Sequence, residues 1–263
     1  MPLVVTPTTP TIGAMVSGID LREPLDPSTV GEVRAALLLH LVLFFRDQDI
    51  STEQQQSFAE HFGPVMVSPE GSAPQWATTL DNASPRDDRW HADGTQMSEP
   101  PLGAVLRAVQ LPQCGGDTCF SSMYAAYDAL SSPFRALLDG LTAVHFNRYR
   151  EVSYVHPVVR VHPETGRRLL NVNRSKTIRI VELEEDESDA VLAFLFSHIK
   201  APVFQCRFRW EPNSIAFWDN RAVQHSAVSD YSDRRVMHRV QISGDHPFGP
   251  MSVDEKRERV SAS

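Results

Sequence analysis

Three things are scarce in this chain, and each scarcity narrows its role. Cysteine is the first: the 263 residues contain only Cys114, Cys119 and Cys206. An odd count at irregular spacing excludes a disulfide framework and fits reduced thiols in a cytoplasmic protein. Long apolar runs are the second. The longest, residues 35–45 (AALLLHLVLFF), is far short of a membrane span and is interrupted by His40. The opening MPLVVTPTTPTIGAMV has no charged stretch leading into a long apolar one, so no signal peptide is expected. Surplus positive charge is the third. With 25 Lys+Arg against 33 Asp+Glu the net charge is −8, which argues against nucleic acid or an anionic membrane as partner. Repeats and low-complexity linkers are also missing. The expectation is one domain over residues 1–263, with 41% hydrophobic residues to fill a core.

The patterns that are present alternate between two periods. Residues 27–39 (PSTVGEVRAALLL) read as a helix with Ser28 as N-cap, and residues 51–62 (STEQQQSFAEHF) as a second that opens on a capping box. Residues 122–130 and 133–141 read as short helices, and 188–199 (SDAVLAFLFSHI) as an amphipathic one behind an acidic turn. Strands are expected at 42–45, 104–109, 155–161, 168–172, 203–210, 214–218 and 236–242, with HPETG as a hairpin turn. Helices thus gather early and strands late. The fold class this suggests is α+β, mainly β: a jelly roll, or double-stranded β-helix, with flanking helices.

The segment richest in chemistry is RWHAD, residues 89–93. On an extended strand His91 and Asp93 leave the same face. An imidazole beside a carboxylate supplies two-thirds of the 2-His-1-carboxylate triad that holds Fe(II) with positions left open. A chain of this composition yields such a pair by chance, so a third ligand is needed. His225, beyond the apolar run ending at Trp218, is the candidate. Arg235 and Arg239 follow on the last strand pattern, four residues apart and hence on one face. An arginine turned inward requires an anion, and its planar fork suits a carboxylate. His238, pointing the other way, is read as structural.

These residues sit within blocks that together resemble the taurine dioxygenase family of Fe(II)/2-oxoglutarate-dependent dioxygenases. The blocks are IGAMVSGIDL, LVLFFRDQDI, FAEHFG, WHAD, LPQCGGDTCFSS, HPVVRVHPETG and WDNRAVQHSAVSDY…RRVMHR, in that order. The resemblance implies that His91, Asp93 and His225 ligate Fe(2+). It implies that Arg235, helped by the Thr118 hydroxyl, pairs with the distal carboxylate of 2-oxoglutarate, and that O2 is consumed with release of succinate and CO2. Arg239 would meet the anionic head of a small organic acid such as a sulfonate, an alkylsulfate or a carboxylate, with Gly94, Ser68 and Lys176 in the same pocket. Ser68, Gly71, Asp87 and Lys176 replace residues that taurine-cleaving members carry, so taurine is expected to be a poor substrate. Residues 147–155 (NRYREVSYV) join two blocks between which relatives insert a lid, here shortened. Relatives often form homo-oligomers. The competing reading is a non-catalytic barrel binding zinc, which accepts the same ligands but has no use for Arg235 and Thr118.

Overall fold

The computed structural model describes residues 2–67, 77–81 and 89–250. In chain order these begin with β1 (Val4–Pro7), β2 (Ala14–Ser17), α1 (Pro27–His40), β3 (Val42–Phe45), α2 (Thr52–Glu60), β4 (Ala77–Asp81), β5 (Gly103–Gln110) and β6 (Thr118–Ser122). Then come α3 (Met123–Asp128), α4 (Ser132–Leu138), β7 (Thr142–Asn147), β8 (Val152–Pro157), β9 (Val159–Val161), β10 (Arg168–Leu170) and β11 (Thr177–Ile180). The chain closes with α5 (Glu185–His198), β12 (Gln205–Phe208), β13 (Ile215–Asp219), β14 (Val223–Ala227) and β15 (Val236–Ile242).

The architecture is mixed α/β with strands in the majority. A seven-stranded sheet runs β1-β2-β3-β13-β5-β15-β4, and a three-stranded sheet runs β12-β6-β14. Two smaller sheets, β11-β7-β8 and β10-β9, flank them. Alternation along the central strands divides the core in two. Phe44, Leu106, Trp218 and Met237 face the three-stranded sheet, where Phe120, Phe208 and Val223 meet them. Leu43, Phe45, Val105, Phe217 and Val240 face the opposite way, onto Val33 and Leu37 of α1 and Phe58 of α2. Strand β3 is therefore buried on both faces, which is why VLFF reads as an unbroken apolar run. Phe44 stacks on Phe208 at 4.1 Å, and Phe120 lies 5.7 Å from Trp218, so aromatic rings bridge the sheets. Truncating one of these to alanine costs about 3–5 kcal/mol.

Several boundaries differ from the sequence reading. The N-cap of α1 is Asp26, whose carboxylate accepts from the Ser28 and Thr29 amides, and not Ser28. The Pro27 ring sits at the first helical position, where no N–H is needed. Helix α5 starts at Glu185, because Glu184 and Glu187 build a capping box and the acidic run becomes its first turn. The expected strand at 155–161 is broken at Val158, whose amide turns to Leu141, leaving β8 and β9 in different sheets. The expected strand at 203–210 begins with a 3₁₀ turn, Pro202–Phe204. Residues 147–155 form a hairpin: β7 pairs with β8 down to Asn147 opposite Val152, with Glu151 at φ 51° in the turn. Among the described residues no helix is long and apolar enough to cross a membrane.

Candidate metal centre

The structure brings together three side chains from two parts of the chain. His225 lies on β14, in the three-stranded sheet, opposite Phe120 of β6. The sequence reading placed it beyond the apolar run ending at Trp218 and assigned no strand there. His91 joins β14 through an isolated antiparallel bridge: its amide donates to the His225 carbonyl at 3.1 Å, and its carbonyl accepts from the His225 amide at 2.8 Å. Asp93 follows two residues later. One ligand atom from each of the three lies within 4.8 Å of the others, the only such His/Cys/Asp/Glu group among the described residues.

The tautomer of His91 is fixed by its surroundings. Its Nδ1 lies 2.7 Å from the Arg89 carbonyl, an oxygen that can only accept, so Nδ1 carries the proton. That leaves Nε2 as a lone pair facing Asp93 Oδ1 at 3.6 Å. The His225 Nε2 stands 4.0 Å from the same oxygen. Both separations exceed a hydrogen bond, so the three donors surround a gap and do not saturate one another.

Asp93 is 7% exposed. Burial by itself would raise its pKa, but the Arg239 guanidinium, both histidines and the Gln241 amide outweigh burial and hold it at about 2. The carboxylate is therefore an anion at neutral pH. Arg239 Nη1 donates to Oδ1 at 2.9 Å and to Oδ2 at 3.0 Å, and Gln241 Nε2 donates to Oδ2 at 3.1 Å. Below Asp93, the Asn220 side chain accepts from its amide at 2.8 Å and donates to its carbonyl at 3.0 Å and to that of Pro101 at 3.0 Å.

The residues expected to grip 2-oxoglutarate form a second group around Trp210. Thr118 stands on β6 two positions from Phe120, the residue paired with His225, and its Oγ1 accepts from Trp210 Nε1 at 3.0 Å. Arg235, also buried, lies 6.0 Å from the Trp210 ring and 5.9 Å from that of Tyr231, and its Nε donates to the Gly116 carbonyl at 3.1 Å. Gly116 is at φ +75°, and a Cβ there would sit 3.1 Å from Arg235 Cδ. The Gly115–Gly116 pair thus lets the loop before Thr118 close on Arg235. Counting along β15, Arg235, Met237, Arg239 and Gln241 share the inward face. His238, on the other face, contacts Thr52 and Arg107 beside α2.

Gly94, at φ +67°, makes the turn after Asp93, with Pro101 and Met97 filling the space a side chain would need. Lys176 lies in the turn before β11, its amide donating to Asn173 Oδ1 at 3.0 Å; Asn173 in turn donates to Thr95 Oγ1, two residues beyond Asp93. Ser68, Gly71 and Asp87 lie outside the described residues. Asn220 and Gln241 were not foreseen. The one available signal was that Asn220 falls inside the WDNR block and that Gln241 continues the alternation of Arg235 and Arg239.

Two imidazoles and one ionised carboxylate around a gap are the donor set of non-haem Fe(II) oxygenases. The family model for "Taurine catabolism dioxygenase TauD, TfdA family" matches residues 5–241. The chain belongs to this family. Among curated relatives of this TauD/TfdA member, an alpha-ketoglutarate-dependent sulfate ester dioxygenase of Pseudomonas putida is 35% identical, over 98% of this chain and 94% of its own. That alignment spans 290 positions, more than the 263 residues here, so the relative carries segments without counterpart in this chain. An alkylsulfatase of Acinetobacter baylyi is 34% identical over 93% of this chain and 86% of its own. A solved taurine dioxygenase from Burkholderia xenovorans superposes with a TM-score of 0.89 at 39% identity, covering 94% of this chain and 93% of that one. The fold is thus that of the TauD dioxygenases, and the protein is a 2-oxoglutarate-dependent dioxygenase that uses Fe(II), 2-oxoglutarate and O2.

Proposed function

We propose that His91, Asp93 and His225 hold the Fe(II) of this enzyme. Arg235 and the Thr118 hydroxyl then take the distal carboxylate of 2-oxoglutarate, and Arg239 the anionic head of a small organic acid. The observation that carries the reading is the donor set itself: three ligand atoms within 4.8 Å, with the carboxylate held ionised. Bound iron with its keto-acid cosubstrate and O2 supplies the oxidation of a substrate C–H bond. The protein's own residues orient and charge-balance the reactants. Arg235, enclosed by Trp210, Tyr231 and Gly116, offers a fixed cation for a dianion. Arg239 places a second positive charge against Asp93, where it selects acids over neutral substrates.

Within this class the relatives act, by their names, on sulfate esters, sulfonates and phenoxypropionate. We read the substrate here as an acid of that kind and place taurine low among them, from Lys176 and from Ser68, Gly71 and Asp87. The β7–β8 hairpin supports a shortened lid over an open site, and so does the surplus of aligned positions in the relative. We read the strands as a double-stranded β-helix forming one domain, in a cytoplasmic enzyme that works on small molecules and not on nucleic acid.

The test is an anaerobic titration of Fe(II)-loaded enzyme with 2-oxoglutarate, followed by succinate release under O2 across alkyl sulfates, alkylsulfonates, taurine and aryloxyalkanoates. A charge-transfer absorption on adding 2-oxoglutarate, and succinate release that depends on one acid class, are expected. Rapid taurine-dependent formation of succinate and sulfite would overturn the substrate ranking. Failure of every acid to elicit succinate would favour a metal-binding barrel without turnover.

A further inference from the structure

The two oxygens of Asp93 are not equivalent, and the side chains that make them differ have no assigned role. Oδ1 faces both imidazole Nε2 atoms, at 3.6 and 4.0 Å. Oδ2 accepts from Gln241 Nε2 at 3.1 Å, and Gln241 makes no bond to Oδ1. Arg239 Nη1 straddles both oxygens and so does not distinguish them. The backbone of Asp93 is fixed independently by the amide of Asn220, which engages its N–H and its C=O together and also holds Pro101 across the turn.

We propose that Gln241 and Asn220 are positioning residues that preset Asp93 as a ligand through Oδ1 alone. This rests on the metal-centre reading above. A carboxylate that bound through both oxygens would take one of the positions that a chelating keto acid and O2 require. Holding Oδ2 with a donor prevents this. The donor must also be neutral and dedicated. Arg239 is needed for the substrate anion, and when it turns away Gln241 is the one side chain among the described residues left donating to the Asp93 carboxylate. An amide at position 241 retains Oδ2 throughout, without competing for the substrate's charge. Asn220 does the complementary work at the main chain: with its two contacts to Asp93, the Cα of the ligand cannot rotate as charge arrives at the side chain. Polar partners behind a ligating carboxylate or imidazole typically set metal affinity over a 10–100-fold range.

The experiment is a Mn(II) titration of the full-length protein, followed by the electron paramagnetic resonance of free Mn(II). It compares wild type with Gln241→Met, which keeps length and removes the donor, and with Asn220→Asp, which keeps shape and removes the two donated bonds. Metal-free melting temperatures are recorded in parallel. Expected is a 10–100-fold weaker Mn(II) affinity for each variant, with the metal-free melting temperature of Gln241→Met unchanged. Wild-type Mn(II) affinity in Gln241→Met overturns the proposal. So does weaker affinity that is matched by a lower metal-free melting temperature, since that marks a merely structural side chain. A wild-type protein that binds no Mn(II) overturns the metal-centre reading itself, a result separable from either of these.

Discussion

Asp93 and Asp219 make an instructive pair, because the same residue types surround both and only one centre is open. Each is a buried carboxylate with an arginine and a histidine beside it, and Asn220 lies between their environments. At Asp219 everything is closed. Arg221 donates through Nε and Nη2 at 2.9 and 2.7 Å, the Arg221 amide adds a bond at 3.0 Å, and His162 Nε2 sits at 3.0 Å. The His162 Nδ1 accepts from the amides of Glu164 and Thr165, so its proton is on Nε2 and points at the carboxylate. At Asp93 the tautomer is reversed: the Arg89 carbonyl takes the Nδ1 proton of His91, and Nε2 presents a lone pair. Burial opposes ionisation at both, and is overcome chiefly by Arg221 at Asp219 and by Arg239 at Asp93. What separates a structural knot from a metal site is therefore whether the backbone group that meets Nδ1 is a carbonyl, which takes its proton, or an amide, which sends the proton to Nε2.

The contrast can be broken at several points. The largest effect is on metal binding. Asp93→Ala should abolish Fe(II) and Mn(II) binding by calorimetry and all succinate formation, whereas Asp219→Asn, where it folds, should still bind metal. The order reverses for stability. Arg221→Met leaves Asp219 buried without its cation and should cost about 3–5 kcal/mol in urea unfolding. Adding Mn(II) at about a hundredfold over its Kd should stabilise wild type by about 2.7 kcal/mol, and Asp93→Ala not at all.

Acid sharpens the comparison further, through two histidines that have no carboxylate partner among the described residues. Burial, with His156 adding to it, depresses His145 from 6.5 to about 3. Burial likewise depresses His156 to about 4, despite the bond from its Nε2 to the Met97 carbonyl at 2.8 Å. Since the unfolded rings protonate first, their contribution is intact above pH 6.5 and is lost as pH falls through the folded values. The slope is about 1.4 kcal/mol per pH unit for each ring. Asp93 and Asp219 have depressed values instead, so their contribution holds above the ordinary 3.8 and fades only below it. Melting temperatures from pH 7 to 4.5 should therefore fall in wild type and fall less steeply in His156→Gln. The smallest effect belongs to Arg239→Met. That guanidinium is 19% exposed and Gln241 remains on Asp93, so metal-free stability should drop by only about 1–2 kcal/mol.

Much of this could be read from the sequence, for identifiable reasons. The VLFF run, the Ser51 capping box and the alternation of β15 reflect local periodicity, and they appear where expected. The triad residues were legible through the blocks around them, since a lone H-x-D is uninformative. Three things were not legible. The N-cap of α1 at Asp26 and the start of α5 at Glu185 depended on which of several capping side chains won. The placement of His225 on a strand depended on pairing with β6, which QHSA does not announce. The hold of Asn220 on Asp93 joins residues 127 apart in sequence, and side-chain amides leave no periodic trace.

The bridge between His91 and His225 carries a temporal consequence. Neither end of the chain can assemble the proposed iron pocket alone, because its ligands come from segments separated by about half of the chain. A ribosome must finish β14 before any pocket exists, and β15 before its carboxylate is braced. With His91, Asp93 and His225 as the ligands proposed above, a fragment that ends before β14 lacks one of the three.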